Sequence, residues 1–342
     1  MKISNSKPNR KGAMLPLIAF CLVIIFVVAA FAIDIARIHV TRAELRTATD
    51  SATRAAVEAL GREQNIQAAI DAAVAMGLQN EVAGQPLTIT PDQILFGSAT
   101  PNGDGSFTFE QNTDNITSVQ VTGARRNSSA DGPVPTTFAH LLGTDNFELQ
   151  LTSAATQSQL DCALVLDLSG SMNNEGRIDS LRLAMEVFVE ELTATQQEER
   201  LSLTSYSDNA TKLVDMTPDL NLISDTFNQQ IPAGFTNIGE GMEFGLNSIE
   251  NDPGSRPFAQ KFMIVMTDGR QNRGIPANIV ARDVADSGVI IHTVTFSEGA
   301  NQNLMQLVAQ EGNGTHLHAD NRQQLVDAFR EIAQQIANIQ IQ

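Results

Sequence analysis

Twenty consecutive positions, Met14 to Ile33, carry no charge, and only Pro16 among them is not plainly apolar. At about 1.5 Å rise per residue, a helix over that run is roughly 30 Å long, the thickness of a bilayer's hydrocarbon core. The run predicts a transmembrane helix. Pro16 falls in its first turn, where the missing N–H is not needed for an intrahelical bond. Lys2, Lys7, Arg10 and Lys11 precede the run, and Ala30-Phe31-Ala32 has the small-x-small form of a cleavage site. A signal peptide shares both features, but its apolar region is shorter, so the reading is an uncleaved anchor. A pilin-type leader usually has Glu at the fifth position after Gly12, where Leu17 stands. No second stretch can cross, so everything after Ile33 lies on one side. Four basic residues and the terminal amine precede the span while Arg37, Arg42 and Arg46 follow it, a tally that favours the outside.

The 342 residues leave room for about two further domains. Lys+Arg 22 against Asp+Glu 39 gives a net charge of −17, which repels phosphate backbones and excludes nucleic acid as a partner. Residues 1–50 carry seven basic and three acidic side chains, so only the amino-terminal end is basic. An apolar content of 42% supports a sizeable core and excludes disorder throughout. The two cysteines, Cys21 in the apolar run and Cys162 at the start of a strand pattern, are not placed to meet, which excludes a disulfide scaffold and a CxxC site.

Beyond the anchor, Ala43, Ala48, Ala52, Ala55, Ala56 and Ala59 recur near the helical period and predict a helical stem over 34–62. Two meanings of the small-residue face stay open: close approach to a partner's or second protomer's stalk, or simple helix propensity. Residues 63–158 read as a small β-rich spacer domain. After an alanine-rich stretch (Ile66 to Gly77), Leu87–Thr90, Ile94–Phe96, Phe107–Phe109, Val119–Val121 and Phe147–Leu151 alternate as half-buried strands do. Turn clusters separate them, at Pro101-Asn-Gly-Asp-Gly105 and at Asn127–Pro133. Asn102 to Gly105 lacks the further spaced carboxylates of a calcium loop and reads as a hairpin turn.

From 159 to 342 strand and helix patterns alternate. Strands are expected at Ala163–Leu168, Leu201–Tyr206, Lys261–Thr267 and Val289–Phe296, and helices at Ile238–Ile249 and Pro276–Ser287. Ile178, Leu181, Met185, Phe188 and Leu192 mark one helix face, and Leu325, Phe329, Ile332, Ile336 and Ile339 another, capped by Asp320 or Asn321. The pattern predicts an α/β class domain, a doubly wound, mostly parallel sheet flanked by helices.

Ligand sites in such folds lie beyond the carboxyl ends of the strands. Three polar clusters fall in such places: Asp167-Leu-Ser-Gly-Ser-Met172, Gly234-Phe-Thr236-Asn237, and Thr267-Asp268-Gly269. On an extended segment Asp167, Ser169 and Ser171 turn their side chains the same way. Two carboxylates and three hydroxyls, from Asp167, Asp268, Ser169, Ser171 and Thr236, suit a hard divalent cation. Mg²⁺ comes first, with Mn²⁺ or Ca²⁺ as substitutes. The protein offers five ligands to an ion that takes six, leaving room for a partner's carboxylate.

Asp-x-Ser-x-Ser at 167, 169 and 171, Thr236 after a glycine-containing loop, and Asp268 followed by Gly resemble the metal-ion-dependent adhesion site of von Willebrand factor type A (VWA) domains. The resemblance implies that Ser169 and Ser171 bind the metal directly, that Thr236, Asp167 and Asp268 bind directly or through water, and that the last helix, Gln323 to Ile339, shifts as coordination changes. The single span, Asp34-Ile-Ala-Arg37 and the alanine-rich stem are similar to the amino-terminal segment of TadE/TadG-like proteins of bacterial tight-adherence (Flp) pilus assembly. Val119–Arg125 and Phe138-Ala-His-Leu-Leu-Gly143 resemble the region joining the two parts in TadG. This implies a single-pass protein of the bacterial inner membrane, its bulk extracytoplasmic, that binds a protein offering Asp or Glu in pilus assembly or surface adhesion. It is not expected to be an enzyme.

The other polar residues take blander readings. Ser169 and Ser171 sit in no Gly-x-Ser-x-Gly elbow and have carboxylates, not a base, as neighbours, which counts against a hydrolase. A structural scaffold whose metal only stabilises loops is the other alternative. His292, His316 and His318 read as core or surface residues, and Asp50, Asp208, Glu240 and Glu243 as solvated acids. Arg270 and Arg273 follow the Asp268 loop, as rim residues of the site or ordinary exposed ones. The Asn-x-Ser/Thr sites at Asn115, Asn127, Asn209 and Asn313 carry no weight in a bacterial protein.

Overall fold

The apolar run and the stem form one unbroken helix, α1 (Met14–Glu63), because no Pro or Gly interrupts the sequence between Leu17 and Leu60. The structure, a computed structural model, describes residues 14–101, 107–113, 115–157, 159–194 and 198–339. The basic leader with Gly12 and the Asn102–Gly105 turn lie outside the described residues. The large apolar side chains from Met14 to Ile33 are exposed, as a membrane-spanning surface requires. α2 (Ile66–Gln79) follows, then the middle strands β1 (Ile94–Pro101), β2 (Phe107–Gln111), β3 (Ser118–Arg125) and β4 (Leu149–Thr156) in the sheet order β2-β1-β3-β4. β1 and β2 pair antiparallel, Gly97 opposite Gln111 and Pro101 opposite Phe107.

Contacts group the chain into two units. The first comprises the chain up to Ala56 with Ile70–Leu95 and Gln120–Ala154. Here the stem's small-residue face is covered by its own unit: Leu45, Ala48, Ala52 and Ala56 are buried, and a side chain on Gly123 of β3 would collide with Thr49. Arg125, at the end of β3, is buried because its guanidinium donates to the carbonyls of Val82, Asp131 and Gly132. Leu87–Thr90 departs from the expected strand. Leu87 and Ile89 are buried as the alternation requires, but the segment is irregular because the Thr88 N–H and hydroxyl go to the Asp131 carboxylate instead of a ladder. Asp34, the first residue after the apolar run, accepts from the backbone N–H groups of Thr137 (2.7 Å), Phe138 (3.0 Å) and Ala139 (2.6 Å). Desolvation pushes the Asp34 carboxyl up, but these three N–H groups and the Thr137 hydroxyl outweigh it and hold the carboxyl below its ordinary value.

The second unit comprises Val57–Ala69, Phe96–Val119 and the chain from Ala155 onward. From Ala155 onward its strands are β5 (Leu160–Asp167), β6 (Glu199–Tyr206), β7 (Ala210–Thr217), β8 (Gln260–Thr267), β9 (Ile290–Phe296) and β10 (His316–Ala319). They form one sheet in the order β7-β6-β5-β8-β9-β10, parallel except for β7, which pairs antiparallel with β6. Its helices are α3 (Arg177–Thr193), α4 (Leu220–Asn228), α5 (Ile238–Asn251), α6 (Ala277–Asp286), α7 (Gln302–Glu311) and α8 (Arg322–Ile339). Every residue of β5 is buried, which explains its continuous apolar reading. Cys162, Leu164 and Leu166 face a core shared with Phe188 of α3, Ile223 of α4 and Phe329 of α8; Ala163 and Val165 face one shared with Met242 of α5, Val280 of α6 and Met305 of α7. Leu325, Phe329, Ile332 and Ile336 are fully buried as the stripe predicts, while the Ile339 side chain lies outside the described residues. This is a doubly wound α/β domain, and β6 and β8 leave β5 in opposite directions. The topological switch point therefore sits at the carboxyl end of β5, which is Asp167.

Candidate metal centre

Asp167 ends β5 and Thr267 ends β8, so the loops that follow these two central strands open side by side at the carboxyl end of the sheet. Both carboxylates there, Asp167 and Asp268, are almost without solvent access. The Asp167 carboxylate accepts from the Ser169 N–H (2.7 Å) on one oxygen and the Thr267 hydroxyl (2.8 Å) on the other. Asp268 Oδ1 accepts from Ser171 Oγ at 2.6 Å, and Ser171 Oγ lies 2.9 Å from Ser169 Oγ. Asp268 Oδ2 accepts from Arg177 Nη1 at 2.8 Å. Burial pushes the Asp167 carboxyl up, the neighbouring Asp268 charge pushes it further, and it stands at about 6 against an ordinary 3.8.

The Thr236 loop is drawn in by backbone bonds. Gly170 N–H donates to Gly234 O (3.0 Å), Ala233 N–H to Leu168 O (2.8 Å) and Asn272 N–H to Thr236 O (3.0 Å), while Thr236 N–H donates to Asn272 Oδ1 (2.9 Å). Gly234 has φ 88°, and the space a side chain would take is filled by the Asp208 carboxylate, so glycine is required there. Ser171 Oγ and Thr236 Oγ1 lie 3.5 and 3.9 Å from where a Cβ on Gly269 would stand. The hydroxyls of two loops thus converge over the bare backbone of the third.

Asp167, Ser169, Ser171, Thr236 and Asp268 all belong to this one loop cluster. Their chemistry fits a hard cation: every donor is a carboxyl or hydroxyl oxygen, and two buried acids press against each other, a repulsion that a dication relieves. Among the described residues, this cluster included, no group of three or more His, Cys, Asp and Glu is placed to hold a metal, so the candidate donors here are two carboxylates and three hydroxyls. His292 stacks on Phe262, ring centroids 6.0 Å apart, and accepts the Thr315 N–H. His316 and His318 bond Thr293 and Thr295 across the β9–β10 ladder.

Several residues serve this site that the sequence reading passed over or read as solvated. Arg177 supplies the guanidinium on Asp268, and it is the first residue of α3. A cation at the positive end of a helix dipole is unfavourable unless an acid faces it, and that placement was the signal available in the sequence. Asp208 accepts from Phe235 N–H (3.4 Å) and pairs with Arg273 at 3.2 Å; the Arg273 guanidinium lies 4.2 Å from the Phe235 ring centroid. Glu240 accepts from Ala210 N–H (3.0 Å) and from the Asn237 amide (2.7 Å), and Asn237 caps α5 directly after Thr236. These acids are structural holds on the loop, and Arg273 belongs to its rim.

Residues 161–331 match the von Willebrand factor type A domain family, residues 12–80 the Flp pilus-assembly TadE/G-like family and residues 47–155 the Tad-like Flp pilus-assembly family. Calcium-activated chloride channel regulator 3A-1 of Mus musculus is 30% identical over 176 residues, which are 50% of this chain and 18% of the mouse protein. The chain thus spans less than a fifth of that relative's length. Among solved structures, the vWF domain of the type V pili tip protein Mfa5 from Porphyromonas gingivalis is 18% identical with a TM-score of 0.46, covering 55% of this chain and 98% of that one. Proximal thread matrix protein 1 from the mussel byssus, solved with a zinc-occupied MIDAS motif, is 19% identical with a TM-score of 0.44, covering 52% of this chain and 46% of that one. The chain belongs to the von Willebrand factor type A domain family, with that domain carried behind a TadE/G-like and Tad-like amino-terminal part.

Proposed function

We propose that this is a membrane-anchored protein-binding module of tight-adherence (Flp) pilus assembly or surface adhesion, laid out as anchor (1–33), stem (34–62), spacer (63–158) and binding head (159–342). In this reading Asp167, Ser169, Ser171, Thr236 and Asp268 hold a divalent cation, Mg²⁺ or in its place Mn²⁺ or Ca²⁺. When bound, the cation offers a coordination position to an Asp or Glu of a protein partner. The observation that carries this is the convergence of hydroxyls and two buried carboxylates over Gly269. Exposed apolar side chains beside it, Phe235 and Ile275, support a protein as the partner. α8 packs edge-on against α3 through Phe329 and Phe188, and α3 begins at the arginine on Asp268, so a shift of α8 on binding would travel through α3. The anchor is read as a single pass in the bacterial inner membrane with the bulk of the chain extracytoplasmic.

A hydrolase would need a general base among the three loops; no His falls in them, and in this reading both of their buried carboxylates, Asp167 and Asp268, are taken up as metal ligands. A metal that only locks the loops is disfavoured because they are already held by their own backbone bonds, Gly170 to Gly234, Asn272 to Thr236 and Asn301 to Gly269. The test is calorimetric titration of Mg²⁺ into the full chain in detergent, followed by partner capture with and without EDTA. Asp167→Ala with Asp268→Ala should abolish metal uptake and EDTA-sensitive capture. Capture that survives unchanged in the double variant overturns the proposal.

A further inference from the structure

The apolar segment Thr137-Phe138-Ala-His-Leu-Leu142 is held at the level where α1 leaves its membrane-spanning run. Asp34 follows Ile33, the last residue of that run, and its carboxylate takes three successive backbone N–H groups of the segment. One turn along, Arg37 Nη1 donates to Thr137 Oγ1 at 2.9 Å. The segment is thereby pinned to α1 by two side chains three residues apart, both of which reach Thr137. A bilayer's headgroup layer adds roughly 5 to 8 Å to each side of its hydrocarbon core, which at about 1.5 Å per residue corresponds to the turn Asp34–Ile38. Apolar side chains are nonetheless left bare there: Leu141 is 74% exposed and Phe138 36%, beside the exposed Ile33 and Ile35 of α1. Arg37 supplies a positive charge within that turn, in a chain that is otherwise strongly acidic.

We infer that Phe138 and Leu141 insert into the lipid interface beside α1, making the segment a second membrane contact. It rests on the reading of Met14–Ile33 as a span. Continuity with that span identifies the occupant as lipid, because the segment is fastened to the residues that follow the apolar run and exposes the side chains an interface accepts. A helix and a loop seated in the lipid side by side keep the stem from swivelling about the anchor's axis.

The chain contains no tryptophan, so a single introduced indole reports its own surroundings without background. The test places full-length Leu141→Trp, and separately Phe26→Trp, in nanodiscs carrying spin-labelled lipids with the label near the headgroup or near the bilayer centre. Position 141 is exposed, so its substitution leaves the core intact. Expected is a blue-shifted indole at 141 that loses most of its emission to the shallow label and little to the deep one, and an indole at 26 quenched by the deep label. Adding Asp34→Ala to Leu141→Trp should release the loop and abolish the shallow quenching. Water-like emission at 141 with no lipid quenching, while 26 is still quenched, overturns this inference and leaves the anchor standing. A blue-shifted indole at 141 that neither label quenches means that protein covers the loop, which also overturns it. No quenching at 26 overturns the anchor and this inference together.

Discussion

Arg177 Nη1 stands 2.8 Å from Asp268 Oδ2, placing a guanidinium against one of the two buried acids at the carboxyl end of the sheet. The opposite oxygen of that carboxylate accepts from Ser171, so Asp268 is held from both sides while Asp167 has only neutral donors. Of the two acids, Asp268 thus has a countercharge, while burial and the Asp268 charge raise the pKa of Asp167.

Replacing Arg177 by Met should destabilise the protein by about 2 to 3 kcal/mol in EDTA, since breaking a mostly buried pair leaves a charge uncompensated. At saturating Mg²⁺ the loss should shrink. Thermal melts of the full chain in detergent, with and without Mg²⁺, measure both. An equal loss in the two conditions would show that Arg177 acts through packing alone.

Gly269→Ala separates the fold from the site. The added Cβ would meet Ser171 Oγ at 3.5 Å and Thr236 Oγ1 at 3.9 Å, ordinary contact distances, so the melting temperature should hardly move. The methyl group nevertheless occupies the place where the hydroxyls converge. Mg²⁺ affinity should fall by about tenfold or more, equivalent to roughly 1.4 kcal/mol, as read by calorimetric titration.

His292 sets an acid limit on stability. Burial lowers its pKa from 6.5 to about 4, so between these values the unfolded chain takes up a proton that the folded chain refuses. Its contribution is complete above pH 6.5 and is lost as pH falls toward 4, at up to about 1.4 kcal/mol per pH unit. His292→Asn retains an acceptor for the Thr315 N–H and removes the titration, so denaturant unfolding across that window should show a flatter pH dependence than the wild-type chain.

Gly123→Ala tests how closely β3 approaches the stem. The methyl would collide with Thr49 Oγ1, whose β-branched side chain is bonded to Leu45 O at 2.7 Å and has little freedom to turn away. Overpacking of this kind should cost about 1 to 3 kcal/mol, visible as a lower melting temperature in detergent. An unchanged melt would mean that the stem and β3 can part without loss.

The elements read correctly in advance are those whose burial writes a period into the residues. β5 and β8 carry apolar runs because both faces of a parallel sheet are covered, β6 and β9 show apolar residues in alternation, and α3 and α8 show stripes because one face of each packs on that sheet. β7, α4 and α7 are not marked by a clear period: β7 is a half-exposed edge strand, and each of the two helices buries only three residues, too few for a stripe to stand out. Leu87–Thr90 shows the opposite failure. Its alternation is real, but a side-chain acceptor on Asp131 took the N–H that a neighbouring strand would have used.

The covalent order of residues settles local questions: which run can cross a bilayer, which segments alternate between strand and helix, and which three loops carry oxygen donors. These follow from side-chain chemistry at short separation. Which buried acid receives a countercharge, which loop fastens to the base of the anchor, and which acids brace a loop were decided by the folded chain. Arg177 and Asp268 are 91 positions apart, and Asp34 meets Thr137 across 103. Electrostatic and hydrogen-bond energies depend on distance in space, and no local pattern of residues encodes a distance that only the completed packing creates.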